Sequence, residues 1–560
     1  MPTVSEIRSL RFDPRMTDFR LLQGLCTEAD RLVEAYRWKV GLGPGSPLIA
    51  CLIGGTGTGK STLFNSLAGK KISEVGMRRP CTLKAVLLVH EQFVQGIQGS
   101  PYLDDGTRNS VTVVSHQRLD LSPLVLVDTP DFDSVEAANR QIFESFFVVS
   151  DLVIYVTSQE KYADRDGWEK LVRAIQWGKK TICVMNKVTS DVAYRDFEVN
   201  VLKLDRTIRP VRVEKVDHAT ECIPGLRDRA PFSDLFGHEV QDSTAAQTRT
   251  RELEALRTHA AGTLERLEET IGKHAERTAS VNVKIERILS DITREMEKGL
   301  DAVVTQDIEI QIRDRLKTLL RKYDILFVPR MMVRNTILRV FHSVADMVGL
   351  GNGPQTPEDR GRQIRAEDLR AARSAAKLEP LQTAVAKLNL QIAQILSTDP
   401  GLDDFRRVAR DDVVRWEPGK VQALYDEAFP GVEHLLEAEF NRFREGLSRT
   451  DEMKLYGSYT VWALFLITAE IIVGGGFTLF DAMLNTVIVP FIPKWLLNVK
   501  VVDLLREIGE RVDRAHRDAL HGILTSQADL YRTSFSNMVP TGEQTDRLRR
   551  LRLDMTRRNQ

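Results

Sequence analysis

The chain has no surplus of charge of either sign, since Lys plus Arg and Asp plus Glu are equal at 78 each. A balanced chain sets up no global field toward a polyanion, so nucleic acid is not an expected partner. Cysteine is scarce, and its five copies (Cys26, Cys51, Cys81, Cys183 and Cys222) are odd in number and scattered, with no CxxC. That excludes a paired disulfide framework and reads as reduced thiols of a cytoplasmic protein. Residues 1–15 lack the apolar core of a signal peptide, so secretion by that route is not expected. Internal repeats are absent too, and long apolar runs are missing outside one region near 458–497.

At 560 residues the chain exceeds one hydrophobic core, and at ~150 residues per domain it divides into a few units. Its most informative stretch is Gly54-Gly55-Thr56-Gly57-Thr58-Gly59-Lys60-Ser61, which satisfies GxxxxGK[ST]. The apolar run Leu48–Ile53 before it reads as a buried strand, and Ser61–Leu67 after it has helical apolar spacing. Glycines there let backbone N–H groups converge on phosphate oxygens, in front of the positive end of the following helix. Gly54, Gly55, Thr56, Gly57, Thr58, Gly59, Lys60, Ser61 and Thr62 are therefore the expected phosphate cradle. Lys60 is expected to reach the β- and γ-phosphates and the Ser61 hydroxyl to ligate Mg2+.

Between about 48 and 220, strand-like runs (Leu83–Val89, Leu124–Val127, Leu152–Thr157, Thr181–Met185) alternate with helical patterns. This predicts an α/β domain with a doubly wound, mostly parallel sheet, whose ligands sit at strand ends. The run Leu124–Val127 delivers Asp128-Thr129-Pro130, and Asp128 is the carboxylate that the magnesium shell of a P-loop protein requires. An ABC-type ATPase is disfavoured, because no LSGGQ-like signature follows and no glutamate follows Asp128.

Gly54–Ser61, Arg79-Pro80-Cys81-Thr82, Asp128-Thr129-Pro130 and Asn186-Lys187 resemble, in order and spacing, the sequential motifs of translation-factor-related GTPases. The likeness is closest to bacterial dynamin-like and YfjP-like GTPases, and it covers residues 48–190, about a quarter of the chain. The resemblance implies GTP as ligand and substrate with Mg2+ as cofactor. It also implies that Thr82 closes on the metal and the γ-phosphate, that Asp128 holds a metal-bound water, and that Asn186 and Lys187 brace the loop and stack on the base. Lys60, Thr82 and Asp128 are the expected catalytic set, and Ser61, Thr82 and Asp128 the expected metal set. Two departures stand out. Asp131 occupies the glycine position of DxxG, where its carboxylate must turn away or be offset by a cation. Thr189 stands where NKxD has its guanine-reading aspartate, with Asp191 two residues on as a substitute. No glutamine follows the third motif to orient water.

The remainder turns helical and charged. A helix before residue 46 carries Leu21, Leu22, Leu25, Ala29, Leu32, Val33 and Tyr36 on its apolar face and is expected to pack on the helical bundle. Residues 47–235 form the nucleotide domain, 245–450 a bundle, stalk or coiled coil, and 501–560 a helix with a basic tail. The segment 327–348 has a basic amphipathic pattern. Residues 455–500 are read as an apolar hairpin. Val461–Phe480 is long enough for the roughly 30 Å of a bilayer, Glu470 lies near its centre, and Pro490 and Pro493 interrupt the second arm. The competing reading buries that hairpin in a soluble core.

The combination implies a dynamin-like GTPase that couples nucleotide state through a stalk to membrane lipid at the cytoplasmic face, with self-association through the GTPase domain or the stalk. The alternatives are a nucleotide-binding adaptor that hydrolyses weakly and a ribosome-associated GTPase.

Overall fold

The computed structural model describes residues 5–73, 84–98, 111–133, 137–215, 222–223, 225–235, 242–301, 314, 318, 378–411, 415–446, 451–492 and 501–557. The chain divides into two compact units: Met1–Phe12, Asp18–Lys273 and Val539–Gln560 form the first, Asp13–Thr17 and His274–Met538 the second.

The first unit is built on a seven-stranded sheet of order β3-β2-β4-β1-β5-β6-β7. Its strands are β1 (Leu48–Ile53), β2 (Ala85–His90), β3 (Val111–His116), β4 (Leu124–Asp128), β5 (Leu152–Ser158), β6 (Lys180–Val188) and β7 (Val211–Glu214). Neighbours run parallel except β2 and β4. Central β1 lies between β4 and β5 with every residue buried, so its sequence shows a continuous apolar run without alternation. The edge strands β3 and β7 carry weaker signals: β3 is half exposed and β7 is four residues long. Helices α1 (Phe19–Leu42), α2 (Lys60–Ala68), α3 (Ala137–Val149), α4 (Arg165–Gln176) and α5 (Asp191–Leu204) belong to this unit.

Helix α1, expected on the bundle, packs on α3 beside the sheet. Buried Lys39 at its end donates to the Val149 carbonyl at 3.0 Å and pairs with Asp151, whose other oxygen accepts from the Ile49 N–H at 2.8 Å. Leu21, read as part of its apolar face, is 48% exposed, because Leu22, Leu25, Ala29, Leu32 and Val33 already fill the buried stripe. A second buried lysine, Lys179, donates to Ser150 O at 2.6 Å and lies 3.4 Å from Glu252 on α6 (Asp242–Asp301). Trp177 stacks on His259 of the same helix at 4.5 Å. The C-terminal helix Gly542–Thr556 closes this unit: Arg549 and Arg552 pair with Glu268 at 2.9 and 2.7 Å. Part of the basic tail is thus spent internally.

The second unit contains the remainder of α6 and helices α7 (Glu379–Thr398), α8 (Pro418–Ala428), α9 (Pro430–Gly446), α10 (Asp451–Met483) and α11 (Val501–Ser536). Helix α10 packs on α9 and α11. Within the expected hairpin, α10 runs from Asp451 to a break at Gly476, where the backbone leaves helical geometry (φ 79°, ψ 170°), resumes as a helix to Met483, and continues into a π turn at Leu484–Ile488 and a 3-10 turn at Val489–Phe491. Val461–Ile488 is long enough to cross a membrane and holds an 18-residue run of mean hydropathy 1.9, yet 72% of that run is buried in the fold. A Cβ at Gly509 of α11 would meet Phe480 at 2.8 Å, so glycine there permits the close crossing of the two helices. Residues 327–348 and the second arm beyond Ile492 lie outside the described residues.

His516 of α11 is buried, bonded through Nδ1 to the Tyr425 hydroxyl at 3.1 Å, and burial pushes its imidazole down to about 4. The unfolded chain therefore takes up this proton first as pH falls below the ordinary value of 6.5. Stability is present above that value and is lost between about 6.5 and 4, at up to about 1.4 kcal/mol per pH unit. Urea titrations across this window should show that loss in the wild type and a smaller slope in His516→Phe.

Candidate functional site

The site lies at the carboxyl ends of β1, β4 and β6, in the crevice where β1 is flanked by β4 and β5. The loop after β1 is shaped by contacts that glycine alone permits at two positions. A Cβ on Gly54 would meet Thr58 Oγ1 at 2.8 Å and the Val156 carbonyl, and one on Gly59 (φ 94°) would run into the Asn186 amide. Helix α2 starts immediately after Gly59, which turns its first N–H groups toward the loop.

Lys60 is 4% exposed. Its ammonium donates to Gly54 O at 2.8 Å and Gly55 O at 3.3 Å and forms an ion pair with Asp131. The cation needed to offset Asp131 is therefore the loop lysine itself. The Ser61 hydroxyl donates to Asp128 Oδ2 at 2.7 Å, as does that of Ser73, a residue that no sequence motif singles out. Asp128 Oδ1 is buried without a hydrogen-bond partner among the described residues. Burial pushes the Asp128 carboxyl up, against the pull of Lys60 and the two serine hydroxyls. Ser61 Oγ and the orphaned Asp128 oxygen are hard donors held side by side, a set that fits Mg2+. Thr82, the third expected ligand, lies outside the described residues.

Asn186 Nδ2 donates to Thr58 O at 3.0 Å and Lys187 Nζ to Gly57 O at 2.7 Å, so both bind the loop as expected. Lys187 holds φ 57°, an uncommon value for a residue with a side chain. Thr62 lies in the first turn of α2, and its carbonyl accepts the Ser66 hydroxyl at 2.6 Å. Two further acidic residues lie near the loop, and one of them, Asp191, departs from its sequence reading. Asp133 accepts from the Thr56 N–H at 2.9 Å and hydroxyl at 2.8 Å and pairs with Lys161 at 3.1 Å. Burial works to raise Asp133, but Thr56 and Lys161 outweigh it and hold the carboxyl low. Asp191 is committed to Arg212 at 2.5 Å instead of facing the loop after Lys187. Gln159 Oε1 accepts from the Thr189 N–H at 2.8 Å and its hydroxyl at 3.2 Å, and from the Ser190 N–H at 2.9 Å. Neither Asp133 nor Gln159 carries a signal in sequence beyond proximity to a motif.

A family described as "50S ribosome-binding GTPase" matches residues 49–187. Residues 49–187 are a P-loop GTPase domain. The match begins in β1 and ends at Lys187, so it covers the strands and loops that assemble the site. Among solved structures, a tyrosine-to-alanine variant of Aquifex aeolicus Era bound to GDP and aluminium fluoride is 17% identical, with a TM-score of 0.22, over 30% of this chain. The chain spans 50% of the length of that structure. Two structures described as an oligomerised bacterial dynamin pair, with a mechanism for long-range sensing and tethering of membranes, are each 11% identical. One has a TM-score of 0.33 over 97% of this chain and 92% of its own, the other 0.34 over 98% and 96%. At TM-scores this low, none of the three decides the fold of the whole chain. No curated protein matches.

Two substitutions test the geometry of the GTPase domain. Asp128→Asn removes a buried charge held against its solvation, so the nucleotide-free protein should gain stability on the order of 1 kcal/mol. The same variant should lose its magnesium-dependent thermal shift with GTP, both readings coming from one set of melting curves. Thr189→Asp restores a carboxylate where guanine is read and should favour GTP over ITP by about tenfold, in competition titrations.

Proposed function

We propose that this protein binds and hydrolyses GTP with Mg2+ and passes its nucleotide state through the helical unit to a membrane surface. The observation that carries the nucleotide half is the pairing of Ser61 with Asp128 beside an orphaned carboxylate oxygen, next to a buried Lys60 at the mouth of α2. Bound there, Mg2+ would be held by Ser61 and, through water, by Asp128, and would neutralise charge developing on the phosphates. Gly54–Thr62 supply N–H donors, Lys60 a cation, and Asn186 and Lys187 hold the loop and the base side together. Guanine is the expected base from the family match, although the side chain at 189 is a hydroxyl already facing Gln159.

The membrane half rests on Val461–Ile488, whose length and hydropathy suit a bilayer. Most of it is buried in the second unit, so lipid contact would require that helix to leave its neighbours. A second reading, a nucleotide-binding adaptor with weak turnover, is favoured by the Lys60–Asp131 pair and by the lack of a water-orienting glutamine. The matched family's description also raises ribosome association, for which the balanced charge offers little support.

Fluorescent GTP titration should show saturable binding in the wild type and none in Lys60→Ala, and binding undiminished in Lys60→Ala would end the nucleotide reading. Steady-state phosphate release separates GTPase from adaptor. Liposome flotation of full-length protein with and without GTP tests the membrane half, and ribosome pelleting tests the alternative.

A further inference from the structure

An ammonium group has three protons to donate. In the GTPase domain all three of Lys60 are taken, two by the carbonyls of Gly54 and Gly55 and the third by Asp131. Both partners of the ion pair are largely buried, with side-chain exposures of 4% and 13%. The phosphate loop is therefore neutralised from within, by a carboxylate standing where a phosphate oxygen belongs. A few atoms away, Asp133 takes the N–H and hydroxyl of Thr56 but is balanced by its own cation, Lys161. Asp133 can keep these contacts when the loop fills, whereas Asp131 holds the one proton of Lys60 that a phosphate needs.

We propose that Asp131 is an internal competitor of the nucleotide's phosphates: it sets nucleotide affinity and makes binding conditional on displacement of the segment that follows β4. The inference rests on the nucleotide reading above and adds to it a residue that the usual glycine of DxxG could not supply. Binding becomes an exchange of one anion for another at Lys60. Its free energy is the phosphate interaction less the cost of breaking a buried pair, and removing one partner of such a pair releases the other for a new anion. Because Asp131 lies three residues after Asp128, the same exchange moves the chain next to the metal carboxylate. The occupied loop thereby acquires a different arrangement of its third motif from the empty one.

The test uses full-length protein and fluorescent GTP and GDP analogues, followed by stopped-flow association and equilibrium titration. Asp131→Asn and Asp131→Gly should bind both nucleotides about tenfold or more tightly than wild type and associate faster, while Asp131→Glu, which restores the anion, should return toward wild type. Asp131→Ser replaces the asparagine variant if the latter melts below assay temperature. Wild type that binds, with neutral variants that bind no more tightly, overturns the competitor role and leaves the nucleotide reading standing. Neutral variants that bind where wild type does not support it outright. No binding by any of them removes both.

Discussion

A lysine ammonium enclosed by carbonyl oxygens governs the nucleotide half of this molecule. Burying Lys60 is tolerable only because the loop curls its own carbonyls around the charge and a carboxylate completes the shell. That shell requires the chain to double back within a few residues, which fixes Gly54 and Gly59, and it requires the segment after β4 to lie over the loop. The crevice beside β1 exists for the same reason: β4 and β5 diverge to either side, and Asp128 emerges from one of them opposite Ser61. Position, charge and backbone shape are one solution here, not three.

A similar economy anchors the surrounding helices. Lys39 and Lys179 are both buried and both satisfied by carbonyls at the end of α3 and in the turn that leads to β5, and each carries a carboxylate partner. Replacing such pairs by apolar side chains would often cost nothing, but removing one member leaves a stranded charge. Their geometry fixes α1 and the start of α6 against the sheet with a directionality that apolar contacts lack. The second unit is held otherwise: α10 presents apolar residues on all sides and is gripped by α9 and α11, with Gly509 allowing close approach.

The sequence carried the loop, its strand and helix, Asp128 and Asn186-Lys187, because each belongs to a motif whose spacing follows from phosphate geometry. Buried strands were legible as apolar runs, and the half-exposed β3 and four-residue β7 were not, since neither has a run long enough to stand out. Helix α1 was legible as an amphipathic helix but its partner was not: an apolar stripe does not say what it faces, and only the Lys39–Asp151 pair, distant in sequence, decides it. The apolar region read as two arms because prolines and glycines punctuate it, and the helix does break at one of those glycines, Gly476. In the site, the need for a cation at Asp131 was legible from charge alone, yet its identity was not, because Lys60 was already assigned to phosphate. Asp133, Ser73 and Gln159 reach the site through loop conformation that no local pattern encodes.

The first unit is assembled from both ends of the chain, with Val539–Gln560 returning to the residues before Lys273. During synthesis the ribosome therefore releases the phosphate loop and its sheet long before Arg549 and Arg552 exist to meet Glu268. The inserted helical unit, with its apolar α10, must emerge in the interval. The nucleotide unit is completed last at its C-terminal helix, so a nascent chain spends most of its elongation with that flank uncovered, at the stage when apolar surface most invites chaperones or aggregation.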